Sequence, residues 1–163
     1  LPSQMGTITP LSEAHATILY LGVPLSLWSE LFPNHKDPTR FLSRLAACVQ
    51  SILDSSAPDR VSVVGFDVFE HAEQRALVAI LRKDPSLLAL RRTAWEFAVE
   101  MLQDLGLPHA EQHLVRSHTL SMPDTVWNPH VTLIKRMPEE APSFTLKLDE
   151  TICLTVGEPR IHR

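Results

Sequence analysis

The sequence predicts an α+β fold built on antiparallel sheets, and three observations lead there. Residues 39–55 and 84–105 repeat apolar side chains every three or four positions, the period of a helix that buries one face. Residues 60–70 and 75–83 lie between them, carry β-branched residues and flank a short polar turn, as an antiparallel hairpin does. The full order of strand, helix, two strands, helix, strand, strand lacks the regular alternation of a doubly wound parallel sheet.

Residues 1–13 are polar and loop-like, with Pro2, Gly6 and Pro10. Residues 15–21 form the first strand, stopped by Gly22 and Pro24. Residues 26–38, with Trp28, Phe32, Pro33 and His35, are expected to make a short helical turn and then a surface loop. In the helix at 39–55 the stripe is Phe41, Leu42, Leu45, Ala46, Val49, Ile52 and Leu53. Asp37 or Thr39 caps its start and Pro58 lies beyond its end. Val61, Val63, Val64, Phe66, Val68 and Phe69 mark the strand that follows. Asp84-Pro85 opens the longest helix and Gly106 closes it, because proline suits a first helical turn and glycine the residue past the last. Residues 107–126 hold His109, His113, His118, Pro123 and Asp124 and are expected to be mostly loop. Strands follow at 128–135 and at 144–156, the second alternating through Phe144, Leu146 and Leu148 and then Ile152, Leu154 and Val156.

The chain has 163 residues, the size of one domain, and 1–163 is expected to be one. Its 44% hydrophobic and 21% charged residues are in the range of soluble globular proteins. A net charge of −4 disfavours a grip on long or duplex nucleic acid, which takes a basic patch. A small nucleotide or an RNA end needs only a few local donors and stays open. Cys48 and Cys153 read as two buried free thiols in a reducing compartment. Neither a signal peptide nor a run of about 18 apolar residues is present, so a cytoplasmic, non-membrane protein is expected, and a monomer. The first residue is Leu1, so a trimmed chain or a domain of something longer is expected.

The chemistry concentrates in two short matches. His15-Ala16-Thr17 stands inside Ala14-His15-Ala16-Thr17-Ile18-Leu19-Tyr20-Leu21-Gly22, and His130-Val131-Thr132 inside Trp127-Asn128-Pro129-His130-Val131-Thr132-Leu133-Ile134. Chance supplies on the order of half a His-x-Thr in such a composition, so the context carries the weight. Both copies open an apolar, β-branched strand, and they lie near opposite ends of the chain. Side chains alternate along a strand, so His15 and Thr17 share one face and His130 and Thr132 share another. The two motif strands each sit beside a helix at opposite ends of the element order, which suggests two similar lobes facing each other. Imidazole titrates near pH 6.5 in the unperturbed side chain, so one ring can accept a proton while a second donates one. Attack on a phosphodiester needs such a base for the nucleophile and an acid for the departing oxygen. The threonine hydroxyls could bond the non-bridging oxygens as charge develops.

The pair, with its flanks His15-Ala-Thr-Ile-Leu-Tyr-Leu-Gly22 and Pro129-His-Val-Thr-Leu-Ile-Lys-Arg136, resembles the signature of the two-histidine (2H) phosphoesterase superfamily. Its members include the LigT-like and 2′-5′ RNA ligase-like RNA 2′,3′-cyclic phosphodiesterases. The likeness covers about residues 14–156. It implies a bilobal α+β fold, two antiparallel sheets with outer helices around a central cleft, and metal-independent catalysis. It implies His15 and His130 as the acid–base pair, with the two roles left open, and Thr17 and Thr132 as phosphate-binding residues. The implied substrates are nucleotide or RNA-end phosphodiesters, whether 2′,3′-cyclic phosphates or 2′-5′ linkages. A cyclic oligonucleotide signal, as cleaved by phage anti-CBASS members, and a non-catalytic nucleotide-binding module are the alternatives.

Two further residues are candidate substrate contacts. Trp127 precedes the second motif and could stack on a nucleobase. Arg136 follows it and, by alternation, lies on the side of His130 and Thr132. Tyr20 falls on the face opposite His15 and Thr17 and reads as core. His109 and His113 have helical metal-ligand spacing but lack the Glu position and any nearby cysteine, so no metal is expected. No Gly-rich phosphate loop, nucleophile elbow or dinucleotide fingerprint occurs, and no cofactor is expected.

Overall fold

The computed structural model describes residues 6–10, 13–18, 24–55, 57–71, 74–117, 127–140 and 143–156. Among these the elements run β1 (Thr7–Ile8), α1 (Pro24–Leu31), α2 (Thr39–Leu53), β2 (Arg60–His71), β3 (Gln74–Leu81), α3 (Pro85–Asp104), α4 (Ala110–Ser117), β4 (His130–Lys135) and β5 (Thr145–Thr155). The fold is mixed α+β. The chain divides into two compact units, one with segments Leu1–Thr17, Asp59–Asp84 and Asn128–Val156, the other with Ile18–Pro58, Pro85–Trp127 and Gly157–Arg163.

The first unit holds the strands. They form a five-stranded sheet in the order β1-β4-β3-β2-β5 with antiparallel neighbours throughout. The β2–β3 hairpin runs in register from Phe66↔Ala79 to His71↔Gln74. A register shift between Val63 and Gly65 puts one extra residue into β2. Val63 and Phe66 are three positions apart, yet both join the apolar cluster of Ala79, Leu81 and Val131. A bulge that reverses the strand's phase allows this. Ala14, Ala16 and Leu133 pack on the same cluster.

The second unit holds the helices. Leu27, Trp28 and Leu31 of α1, Phe41 and Cys48 of α2, five residues of α3 between Trp95 and Leu102, and Ala110 and Leu114 of α4 form its core. Each large side chain so buried contributes roughly 1.5–3 kcal/mol before ordering costs. Asp37 Oδ1 accepts from the Thr39 amide at 2.9 Å and from its hydroxyl at 2.6 Å, anchoring the start of α2. These bonds hold the Asp37 carboxyl below the usual carboxylate range. At the other end of α3, Leu107 N–H donates to Leu102 O (3.1 Å) and Gly106 N–H to Gln103 O (2.8 Å), with Gly106 at φ 85°. This paired closure needs a left-handed residue, which glycine supplies without strain.

Several expectations change. Residues 26–31 belong to a helix, α1, that begins at Pro24, and Leu27, Trp28 and Leu31 are the stripe that binds it to the core. Residues 110–117 are helix, not loop, held by Ala110 and Leu114 one turn apart and both buried; residues 118–126 lie outside the described residues. Thr7–Ile8 is a strand, because β4 offers it an edge. Of the strand expected at 15–21, Ala16 makes a β-bridge, and residues 19–23, with Tyr20, lie outside the described residues. Cys48 is buried as expected, whereas Cys153 is exposed, because β5 is an outer strand. Among the described residues there is one sheet where two were expected. Ala16 bridges Val131, so the first motif lies against β4.

Candidate active site

The Ala16↔Val131 bridge is antiparallel. Residues one step either side of such a bridge also face one another, so His15 stands opposite Thr132 and Thr17 opposite His130. Ala16 and Val131 both pack into the apolar cluster. By alternation the other four side chains emerge on the opposite face of the sheet. The two motifs therefore make a square, with histidines on one diagonal and threonines on the other. Diagonal neighbours of this kind lie on the order of 7 Å apart. That leaves room for a phosphate between the imidazoles. The separate faces expected from sequence are thus one face, because the motif segments pair with each other.

The surroundings suit a reacting site. His15 and Thr17 are exposed, and His130 and Thr132 are half-buried. Val78 and Ile80 of β3 stand opposite Thr132 and His130 and floor the site with apolar groups. Asp67 of β2 faces Val78, but its Oδ1 accepts from Thr145 Oγ1 at 2.9 Å and from the Val68 amide at 2.8 Å.

Each imidazole is anchored in the same way. His15 Nδ1 lies 2.8 Å from Glu13 O, and His130 Nδ1 lies 2.8 Å from Asn128 O, the carbonyl two residues earlier in both cases. A carbonyl only accepts, so each Nδ1 carries the proton. In the neutral ring the basic lone pair is then on Nε2, the atom that takes or gives a proton in acid–base catalysis. A local bond to the chain's own backbone thus fixes the same tautomer in both motifs.

The two candidate contacts fare differently from that square. Trp127, in the helical unit, is only 9% exposed, and the Arg91 guanidinium lies over its ring, 4.6 Å from the centroid. The face a base would stack on is occupied, which favours packing. Arg136 is exposed and follows the end of β4 with φ 55°. A register shift between Thr132 and Ile134 against β3 breaks the alternation that put Arg136 on the motif face. His109 precedes α4 with φ 55°, and its carbonyl accepts from Gln112 N–H (2.9 Å) and His113 N–H (3.4 Å), so it stands at the mouth of the helix with a left-handed backbone and not inside it as the metal-ligand spacing presumes.

Two residues escaped the sequence reading. Arg91 is buried to 4% exposure on α3, donates to Ile18 O and covers Trp127. Its position four after Leu87 and three before Ala94, inside the apolar stripe, was the available signal. The other is Phe69, whose ring centroid lies 4.6 Å from that of His130. Nothing in the sequence beyond strand alternation pointed to it. No protein-family profile, curated protein or solved structure matches the chain.

Proposed function

We propose that the chain is a metal-independent phosphodiesterase of the 2H type, acting on a nucleotide or RNA-end phosphodiester such as a 2′,3′-cyclic phosphate or a 2′-5′ linkage. The observation that carries this reading is the Ala16↔Val131 bridge, which sets two anchored imidazoles and two hydroxyls on one sheet face. For a cyclic phosphate, one Nε2 takes a proton from water as its oxygen bonds to phosphorus. The bond to the 2′ or 3′ oxygen breaks, and the second, protonated ring gives that oxygen its proton. Thr17 and Thr132 hydroxyls donate to the non-bridging oxygens. Two imidazoles supply both proton transfers, so the scheme calls for no Lewis acid. The reading carries with it a substrate cleft over the sheet face that bears both motifs, and a substrate met in the cytoplasm by a monomer. Among the described residues no helix is long and apolar enough to cross a membrane.

The test is a panel of 2′,3′-cyclic nucleotides, 2′-5′ oligoadenylates and cyclic dinucleotides, each incubated with the protein with and without EDTA. Turnover of at least one substrate, unchanged by EDTA, is the expected result. Turnover lost on chelation would overturn the mechanism. No turnover of any member would favour a nucleotide-binding module instead.

A further inference from the structure

We propose that Phe69 is a positioning residue that sets the orientation of the His130 ring; this rests on the two-histidine reading above. Phe69 lies on β2, with β3 between it and the strand of the second motif. Its side chain follows the parity of Asp67, and Asp67 faces Val78, which in turn faces Thr132. Phe69 therefore emerges on the face that carries both motifs. Directly opposite it on β3 is Ala76, which offers only a methyl, so the ring can lie across that strand. It ends with its centroid 4.6 Å from the imidazole and the two planes tilted by 64°. That is a favoured separation for a tilted aromatic pair.

The contact complements the backbone anchor. The Nδ1–H bond to Asn128 O fixes which edge of the imidazole faces the chain, but one hydrogen bond on a half-buried ring leaves it free to swing. A second ring at its side removes the alternative rotamers and holds Nε2 toward the centre of the square. A proton donor or acceptor fixed in advance loses less freedom in the transition state. Phe69 acts through His130, on the imidazole and not on the phosphate.

The experiment compares wild type, Phe69→Ala and Phe69→Leu on the substrate panel and by side-chain ¹⁵N NMR of the histidines. Phe69→Ala should lower kcat about ten- to a hundredfold with KM within about twofold, since misplacing a catalytic group costs rate and not binding. The His130 resonances should move and the Nδ1–H tautomer should lose its dominance, while His15 is unchanged. Unaltered His130 resonances would overturn the proposal. So would a loss confined to KM, which would make Phe69 a substrate contact. Phe69→Leu keeps the apolar bulk and should show the same NMR change if Phe69→Ala fails to fold. If wild type turns over nothing, the phosphodiesterase reading fails, and the NMR comparison still decides the role of Phe69.

Discussion

Gly65 tests how closely β5 packs on β2. It is buried at the register shift in β2, where β5 passes close by. A Cβ built at position 65 would lie 2.3 Å from Leu146 O, against the 3.0 Å below which such contacts essentially never occur. The obstacle is backbone, so in Gly65→Ala β5 must retreat from β2 by most of an ångström. Overpacking of this kind costs about 1–3 kcal/mol. Lengthening one ladder hydrogen bond adds about 1 kcal/mol. The smaller entropy of alanine in the unfolded chain returns about 0.4–1 kcal/mol. The net loss is about 2 kcal/mol, or a fall in Tm of roughly 4–8 °C for a chain of this size. Thermal unfolding by circular dichroism and a urea titration measure it. Gly106→Ala is the control: it has open space around it but φ 85°, and should cost about 1 kcal/mol through backbone strain alone. A Gly65→Ala protein melting within about 2 °C of the parent would refute the close-approach argument.

Other outcomes follow from the same geometry. His15→Ala and His130→Ala should each lower kcat about 10²- to 10⁴-fold on whichever substrate the panel identifies. The double variant should be little worse than the poorer single one, because the two rings act as a unit; a loss equal to the product of the two would argue for independent roles. His15 is exposed, so His15→Ala should leave stability within about 0.5 kcal/mol in urea titration. Burial, aided by the nearby Glu100 carboxylate, pushes the Cys48 thiol up to about 11, whereas Cys153 is exposed. A chromogenic disulfide reagent at mildly alkaline pH should therefore titrate one thiol quickly in the native protein and two in urea, and Cys153→Ser should remove the fast one. Arg91→Met should cost about 2–3 kcal/mol in urea unfolding, since it removes a charged bond to Ile18 O and the cover of Trp127. An unchanged midpoint would count against that anchoring.

The long periodic elements were legible because their periodicity and their packing agree. α2, β2, β3, α3 and β5 fall within two residues of their expected bounds, and Gly106 closes α3 as its residue type suggests, while Asp37 braces Thr39 from one residue before the N-cap of α2, Pro38. α1 and α4 were less so. Each is eight residues long, and among the described side chains only two or three in each are buried, too few for a pattern to stand out from a loop. β1 exists only because β4 offers it an edge, which no local signal encodes. The motif residues were readable one strand at a time, since alternation places each His beside its Thr. That the two pairs share a face is a fact of long-range pairing. Arg136 departs from the parity of Thr132 because a bulge, which no residue type in the sequence marks, lies between them. Position 127 alone does not separate stacking from packing; the cover that Arg91, a charged residue in an apolar stripe, lays over the Trp127 ring comes from a residue 36 positions away.

The pairing of the first motif with β4 also has a consequence for folding. Ala16 and Val131 are 115 positions apart, and closing a loop of that length costs about 4 kcal/mol in chain entropy. Against that, the N-terminal segment holds β4 with a two-residue strand, the Thr9 amide on Leu133 O, and the Ala16 bridge. The β2–β3 hairpin closes through a few residues and β3 engages β4 over four. The margin holding His15 and Thr17 to the sheet is therefore thinner than that holding His130 and Thr132. Local opening of this one edge would dismantle the square while the remaining four strands stay paired. Amide exchange should report it: Ala16 exchanging well before Val78 and Ala79, at a rate that tracks loss of activity under mild denaturant.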